Sequence, residues 1–104
     1  MGMIRHGTVT LAGTTSPVIL SSVIPMQGIC KQLIMQADGS NANPIYVGGK
    51  TDTLSTTSFG FRIEAATGGI PPAPTFIDAV LISIADMRVI GNTNEILHVM
   101  AVYS

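Results

Sequence analysis

Tryptophan is absent from these 104 residues, and two Tyr and three Phe make up an aromatic share of only 5%. Sugar-binding sites are built on exposed aromatic platforms, so little here favours one. A single cysteine, Cys30, cannot form an internal disulfide, and no covalent staple supports this small fold. Stability gained by association is the alternative. Charge is scarcer still: 11% of residues are charged, against about 25% in an ordinary soluble domain. The basic residues Arg5, Lys31, Lys50, Arg62 and Arg88 are scattered and the net charge is -1, which argues against a nucleic-acid or anionic-membrane binder. No apolar run approaches the ~18 residues of a membrane-spanning helix. The first residues lack the layout of a secretory signal, so a soluble, cytosolically made protein is expected.

What is present is apolar and β-forming. Hydrophobic residues make up 46% of the chain, and much of the remaining polarity is Thr, Ser, Asn and Gln. A lone small protein carries more charge to stay soluble and blunt its sheet edges. Several faces are therefore expected to be covered by other chains. The length suits a single domain over residues 1–104, burying somewhat under ~70% of its unfolded surface.

Helical periodicity is nearly missing, and short β-rich runs separated by turn residues replace it. Met3 to Ala12 reads as a strand, Gly13-Thr14-Thr15-Ser16-Pro17 as a turn and Val18-Ile19-Leu20 as the returning strand, with Pro17 at its start or on an edge. Ile29 to Ala37 follows. Strict alternation gives it one face of Cys30, Gln32, Ile34 and Gln36 and another of Ile29, Lys31, Leu33, Met35 and Ala37. Asp38 to Pro44 is a dense turn cluster, Ile45-Tyr46-Val47 a short strand ending at Gly48-Gly49, and Lys50 to Ser58 a Thr/Ser-rich loop. The clearest alternation runs from Phe59 to Ala66, with Phe59, Phe61, Ile63 and Ala65 on the core side. The prolines of Thr67 to Pro74 force a stiff, extended connection. Ala79 to Ala85, with Val80, Ile82 and Ile84 on one face, and Met87 to Ile90 are further strands. After the turn Asn92-Thr93-Asn94, Glu95 to Tyr103 is apolar on both faces and should lie centrally or against a neighbour. Phe59, Phe61 and Phe76 are expected in the core. The fold class that follows is all-β: a single antiparallel β-sandwich, jelly-roll-like, of about seven to nine short strands.

Catalytic patterns do not assemble. Gly48-Gly49-Lys50-Thr51 has the end of a phosphate-binding loop, but Pro44 stands where that motif needs a glycine. Asp38, Ser40, Asn41 and Asn43 offer oxygens to calcium, yet the closing acid of an EF-hand loop would fall on Gly49. His6 and His98 have no metal-ligand spacing, and nothing around Cys30 suggests an activated thiol. Asp38, Asp52, Glu64, Asp78, Asp86 and Glu95 show no glycosidase pairing. The expectation is no enzyme, with no catalytic, cofactor-binding or metal site.

The segment Gln36-Ala37-Asp38-Gly39-Ser40-Asn41-Ala42-Asn43-Pro44-Ile45-Tyr46-Val47-Gly48-Gly49, and later Met87-Arg88-Val89-Ile90-Gly91-Asn92 before an apolar terminal strand, resembles small bacteriophage virion proteins. In these, Ile-Tyr-Val-Gly and Val-Ile-Gly strands recur in compact β-sandwiches. The likeness covers about the last 75 residues. Met87-Arg88 replaces the usual aromatic before Val-Ile-Gly, and Pro71 to Pro74 replaces a shorter turn. What the resemblance implies is a capsid decoration or cement protein on the virion surface, made in the bacterial host cytoplasm. It would be a homo-oligomer, often a trimer, binding the major capsid protein or other virion proteins; a tail or neck component is the related alternative.

Low charge and flat apolar strands suit such repeated interfaces. The candidate contacts are Met3, Ile4, Arg5, Tyr46, Arg62, Glu64 and Tyr103. Residues 1–7 form a candidate N-terminal arm that a neighbour would order, with an ordinary edge strand as the alternative. A different class of function, recognition of a host glycan or protein, would use the loops Lys50 to Ser58 and Thr67 to Pro74.

Overall fold

The computed structural model of the protein describes residues 3–22, 29–49, 53–83 and 87–103. Met1 and Gly2 of the candidate arm, residues 50–52 at the start of the Thr/Ser loop, and Ile84 and Ala85 lie outside the described residues, as do the carboxylates Asp52 and Asp86. Strands run β1 Met3–Thr10, β2 Gly13–Ile19, β3 Ile29–Ala37, β4 Ile45–Gly49, β5 Phe61–Ile63, β6 Thr75–Ser83, β7 Met87–Gly91 and β8 Ile96–Tyr103, with a 3-10 turn at Leu20–Ser22.

They form two four-stranded antiparallel sheets, ordered β1-β8-β3-β6 and β2-β7-β4-β5. β1 pairs with β8, β2 with β7, β3 with β6 and β4 with β5. This is one long hairpin with its tip at β4 and β5, rolled up until β3 meets β8 and β4 meets β7. That connectivity is the jelly roll. The expected all-β sandwich is present, and β8 is central as its two apolar faces required.

The sandwich closes because alternate residues of both sheets point inward. Val9, Leu33, Met35, Ala37, Leu97, Val99, Ala101 and Tyr103 meet Ile45, Val47, Ile63 and Val89 in one buried cluster. Leu11 and Leu20 complete it from outside the strands.

Three expectations about the strands need correction. Gly13 to Leu20 is not a turn and a returning partner of β1. Gly13–Ile19 is itself a strand, in the opposite sheet, paired to β7 with a register shift between Gly13 and Val18 that accommodates Pro17. In β3 strict alternation fails at Lys31, where the pairing with β6 also shifts register. Cys30 therefore joins Leu33 and Met35 in the core instead of sharing the outer face of Gln32, Ile34 and Gln36. The most regular alternation in the sequence, Phe59 to Ala66, yields only the three residues of β5.

The reason for that short strand is tertiary. Gly60 N–H still bonds Val47 O at 2.8 Å, but past Ile63 the chain turns so that Ala66 N–H bonds Asn41 O at 3.2 Å. Phe59 consequently stays 41% exposed and Phe76, on β6, 56% exposed. Neither fills the core; Phe61, half-buried, packs against it. β6 also begins at Thr75, earlier than the Ala79 expected.

The loops are tied down by side chains. Asn41 is 3% exposed; its Nδ2 donates to Ile96 O at 2.7 Å and its Oδ1 accepts from Ile96 N–H at 2.8 Å, so it continues the sheet beyond β3. Glu95 Oε1 accepts from Ala42 N–H and from Asn43 Nδ2. Thr67 and Ile70 exchange N–H to carbonyl bonds of 3.0 Å across Gly68 and Gly69, both at positive φ, a two-residue hairpin turn that glycine alone enters freely.

Candidate functional site

Even-numbered residues of β1 and β8, with Gln32, Ile34 and Gln36 of β3 and Phe76 of β6, point away from the core, and the pairing sets them in rows. Ile4, Val102 and Gln32 form one row, His6, Met100, Ile34 and Phe76 the next, and Thr8, His98 and Gln36 a third. The proline-rich connection reaches the end of this face, where Pro74 borders the depression beside Gln36. Ile4 is 60% exposed, and with Phe76 it flanks the half-buried Ile34, Met100 and Val102. The middle rows enclose an open depression of about 540 Å³ lined by His6, Thr8, Ile34, Gln36, Phe76, His98 and Met100. Exposed apolar side chains scattered singly are ordinary; a contiguous patch marks a contact site.

Polar groups border this patch on one side. His98 Nε2 and Asp38 Oδ1 are 2.7 Å apart. Ser40 donates to Asp38 Oδ2 twice, from Oγ at 2.6 Å and from its backbone N–H at 3.0 Å. These bonds, the serine hydroxyl first and the histidine second, hold the Asp38 carboxyl well below the usual carboxylate range. Gln36 Nε2 donates to Pro72 O at 3.0 Å, fixing the proline-rich connection against the end of β3.

Aspartate, histidine and serine side by side invite comparison with a nucleophilic triad, and the arrangement is wrong for one. In a triad the imidazole takes the proton of the hydroxyl. Here the Ser40 hydroxyl donates to the carboxylate instead. Cys30 is 1% exposed, its thiol pushed up by burial, and the sheet separates it from His6 and His98 on the outer face. Asn41 and Asn43 spend their side chains on Ile96 and Glu95, so the Asp38 to Pro44 turn does not present a set of free ligand oxygens. Among the described residues no three His, Cys, Asp or Glu side chains gather as a metal site would need.

The candidate contacts sort into two groups on opposite sheets. Met3, Ile4, Arg5 and Tyr103 meet where β1 pairs with the end of β8; residues 3–7 are thus the first part of an edge strand. Tyr103 is 6% exposed and belongs to the core, where burial raises its phenol. Tyr46, Arg62 and Glu64 gather on the other sheet. Tyr46 and Arg62 are cross-strand partners, and Arg62 Nη2 lies 2.7 Å from Glu64 Oε1, a bond that raises the guanidinium. Phe59 lies against Tyr46 with ring centroids 4.9 Å apart. Sequence reasoning left Ile34, Phe76 and Met100 out of the candidate contacts. Their signal was the apolar second face of β8, half hidden by the mixed composition of β3.

Compared with protein-family models, with curated proteins and with solved structures, the chain has no match.

Proposed function

We propose that the protein is a structural subunit of a bacteriophage particle, a capsid decoration or cement protein that works through contact and not through catalysis. The observation that carries this reading is the apolar face of the β1-β8-β3-β6 sheet that the described residues leave exposed, Ile4 and Phe76 above all, on a chain with few charges to keep such a face in water. The jelly-roll connectivity and the resemblance of the Ile45 to Gly49 and Met87 to Asn92 strands to small virion proteins support the same reading. Made in the host cytoplasm, the subunit would be present in repeated copies and attach to the major capsid protein. A contact made only with the closed shell stabilises that form by mass action. The test is to mix the purified protein with undecorated capsids and measure co-pelleting and heat resistance. Absence of both binding and stabilisation would sink the proposal.

A second reading has one observation of its own. Gly48, Gly49, Thr53, Ser58, Phe59 and Gly60 line a hollow of about 410 Å³ at which the Phe59 ring is exposed, the apolar plate and polar rim that a host glycan would use. Saturable, selective binding on a glycan array, lost in Phe59→Ala, would favour it.

A further inference from the structure

Each sheet has two edges, and three of the four carry a device against pairing with another chain. β2 holds Pro17 and a register shift. β5 is only three residues long, and β6 shifts register against β3. β1 has none of these: it is eight residues long, free of proline, and in unbroken register with β8 from Met3 to Thr10.

The direction of its hydrogen bonds follows from the same register. Leu11 N–H bonds Glu95 O at 2.9 Å, which continues the pairing of Val9 with Leu97. In an antiparallel ladder residues alternate between bonding the partner with both backbone groups and turning both away. Odd-numbered residues of β1 therefore bond β8, and Ile4, His6, Thr8 and Thr10 turn N–H and C=O outward.

We infer that β1 is a self-pairing edge: two copies join β1 to β1 antiparallel about a two-fold axis at Gly7, making one continuous sheet across the pair. In this register Ile4 faces Thr10 of the second copy and His6 faces Thr8, so all four outward residues of each strand are bonded. Arg5 faces Val9, and no like charges meet. Gly7 meets Gly7 at the axis, a non-hydrogen-bonded position where backbones come closest and side chains would crowd. Sliding by two residues in one direction sets His6 against His6 and leaves Thr10 unpaired; in the other it leaves Ile4 unpaired. Antiparallel pairing of a strand with itself requires a two-fold axis, so this edge makes a dimer and cannot close a ring of three. The inference rests on the edge alone and is independent of where the protein works.

Light scattering on the chromatographed full chain at micromolar concentration should give twice its 10.8 kDa. Thr8→Pro removes one outward N–H that the fold does not use and should give a folded species of monomer mass, while Thr8→Val stays dimeric. Should Thr8→Pro fail to fold, charge reversal gives the same answer. His6→Glu with Thr8→Glu places carboxylates opposite one another and should be monomeric, as should His6→Lys with Thr8→Lys, and mixing the two should give a heterodimer by native mass spectrometry. A monomeric or trimeric native chain, a dimer indifferent to all these changes, or reversed-charge chains that do not recombine would overturn the inference.

Discussion

The outer faces of the two sheets solve the same problem differently. On β2-β7-β4-β5 the chain covers itself: Phe59 lies on Tyr46, Leu54 reaches over Gly48 so closely that a Cβ there would come within 2.9 Å of its Cδ1, and Arg62 is bonded to Glu64. On β1-β8-β3-β6 the described chain gives cover only near Gln36, where Pro72 is bonded, and Ile4 and Phe76 are left more than half exposed. Where a sheet is covered by its own loop, substitutions should be felt in stability. Where it is bare, they should be felt in binding.

The largest effect expected is on the bare face. Ile34→Thr combined with Phe76→Ser should weaken co-pelleting with capsids by about thirtyfold or more, the scale of an interface hot spot, and leave the thermal unfolding midpoint close to that of the native chain. Undiminished pelleting would place the contact elsewhere. Next comes the joint between the sheets. Asn41→Ala removes both bonds to Ile96 in a buried setting and should lower stability by about 2–3 kcal/mol in urea unfolding; no loss would mean the turn is held by Glu95 alone.

Phe59→Ala tests the covered face. It should lower stability by about 1–2 kcal/mol through lost ring contact and burial and leave pelleting intact. Lost pelleting at full stability would reverse the roles given to the two faces. The smallest effect concerns acid. Asp38 ionises more readily folded than unfolded, so its contribution is complete above the ordinary aspartate value of about pH 4 and fades as pH falls below it. Asp38→Asn should therefore be less stable than the native chain near neutrality and converge with it in strong acid, read from urea midpoints across pH.

Much of this fold is legible in the residues, and the failures share a cause. Ile45 to Gly49, Met87 to Gly91 and the long terminal strand stand at or near their expected bounds, because turn residues flank them and β8 is apolar on both faces. Phe59 to Ala66 misleads because alternation reports that a segment suits a strand, not that a partner lies beside it; β4 begins at Ile45, which already faces Ile63, and offers no ladder to the residues after it. Cys30 misleads because a register shift reverses which way a side chain points. Glu95 and Asn41 were invisible as anchors, since their partners are more than fifty residues away in sequence. Arg62 and Glu64 were within reach of pattern reasoning because two residues apart on a strand is the same face.

By itself the sequence determined the class of the fold and the shortage of charge, since composition, turn chemistry and period-two patterning are local properties that every segment carries with it. Only the tertiary structure decided which strands share a sheet, that Phe59 and Phe76 face outward, and that, among the described residues, one sheet is covered by its own loop while the other leaves Ile4 and Phe76 open. Those depend on where the chain returns to meet itself, on pairings such as β1 with β8 and on single bulges, and no local pattern encodes a partner that distant.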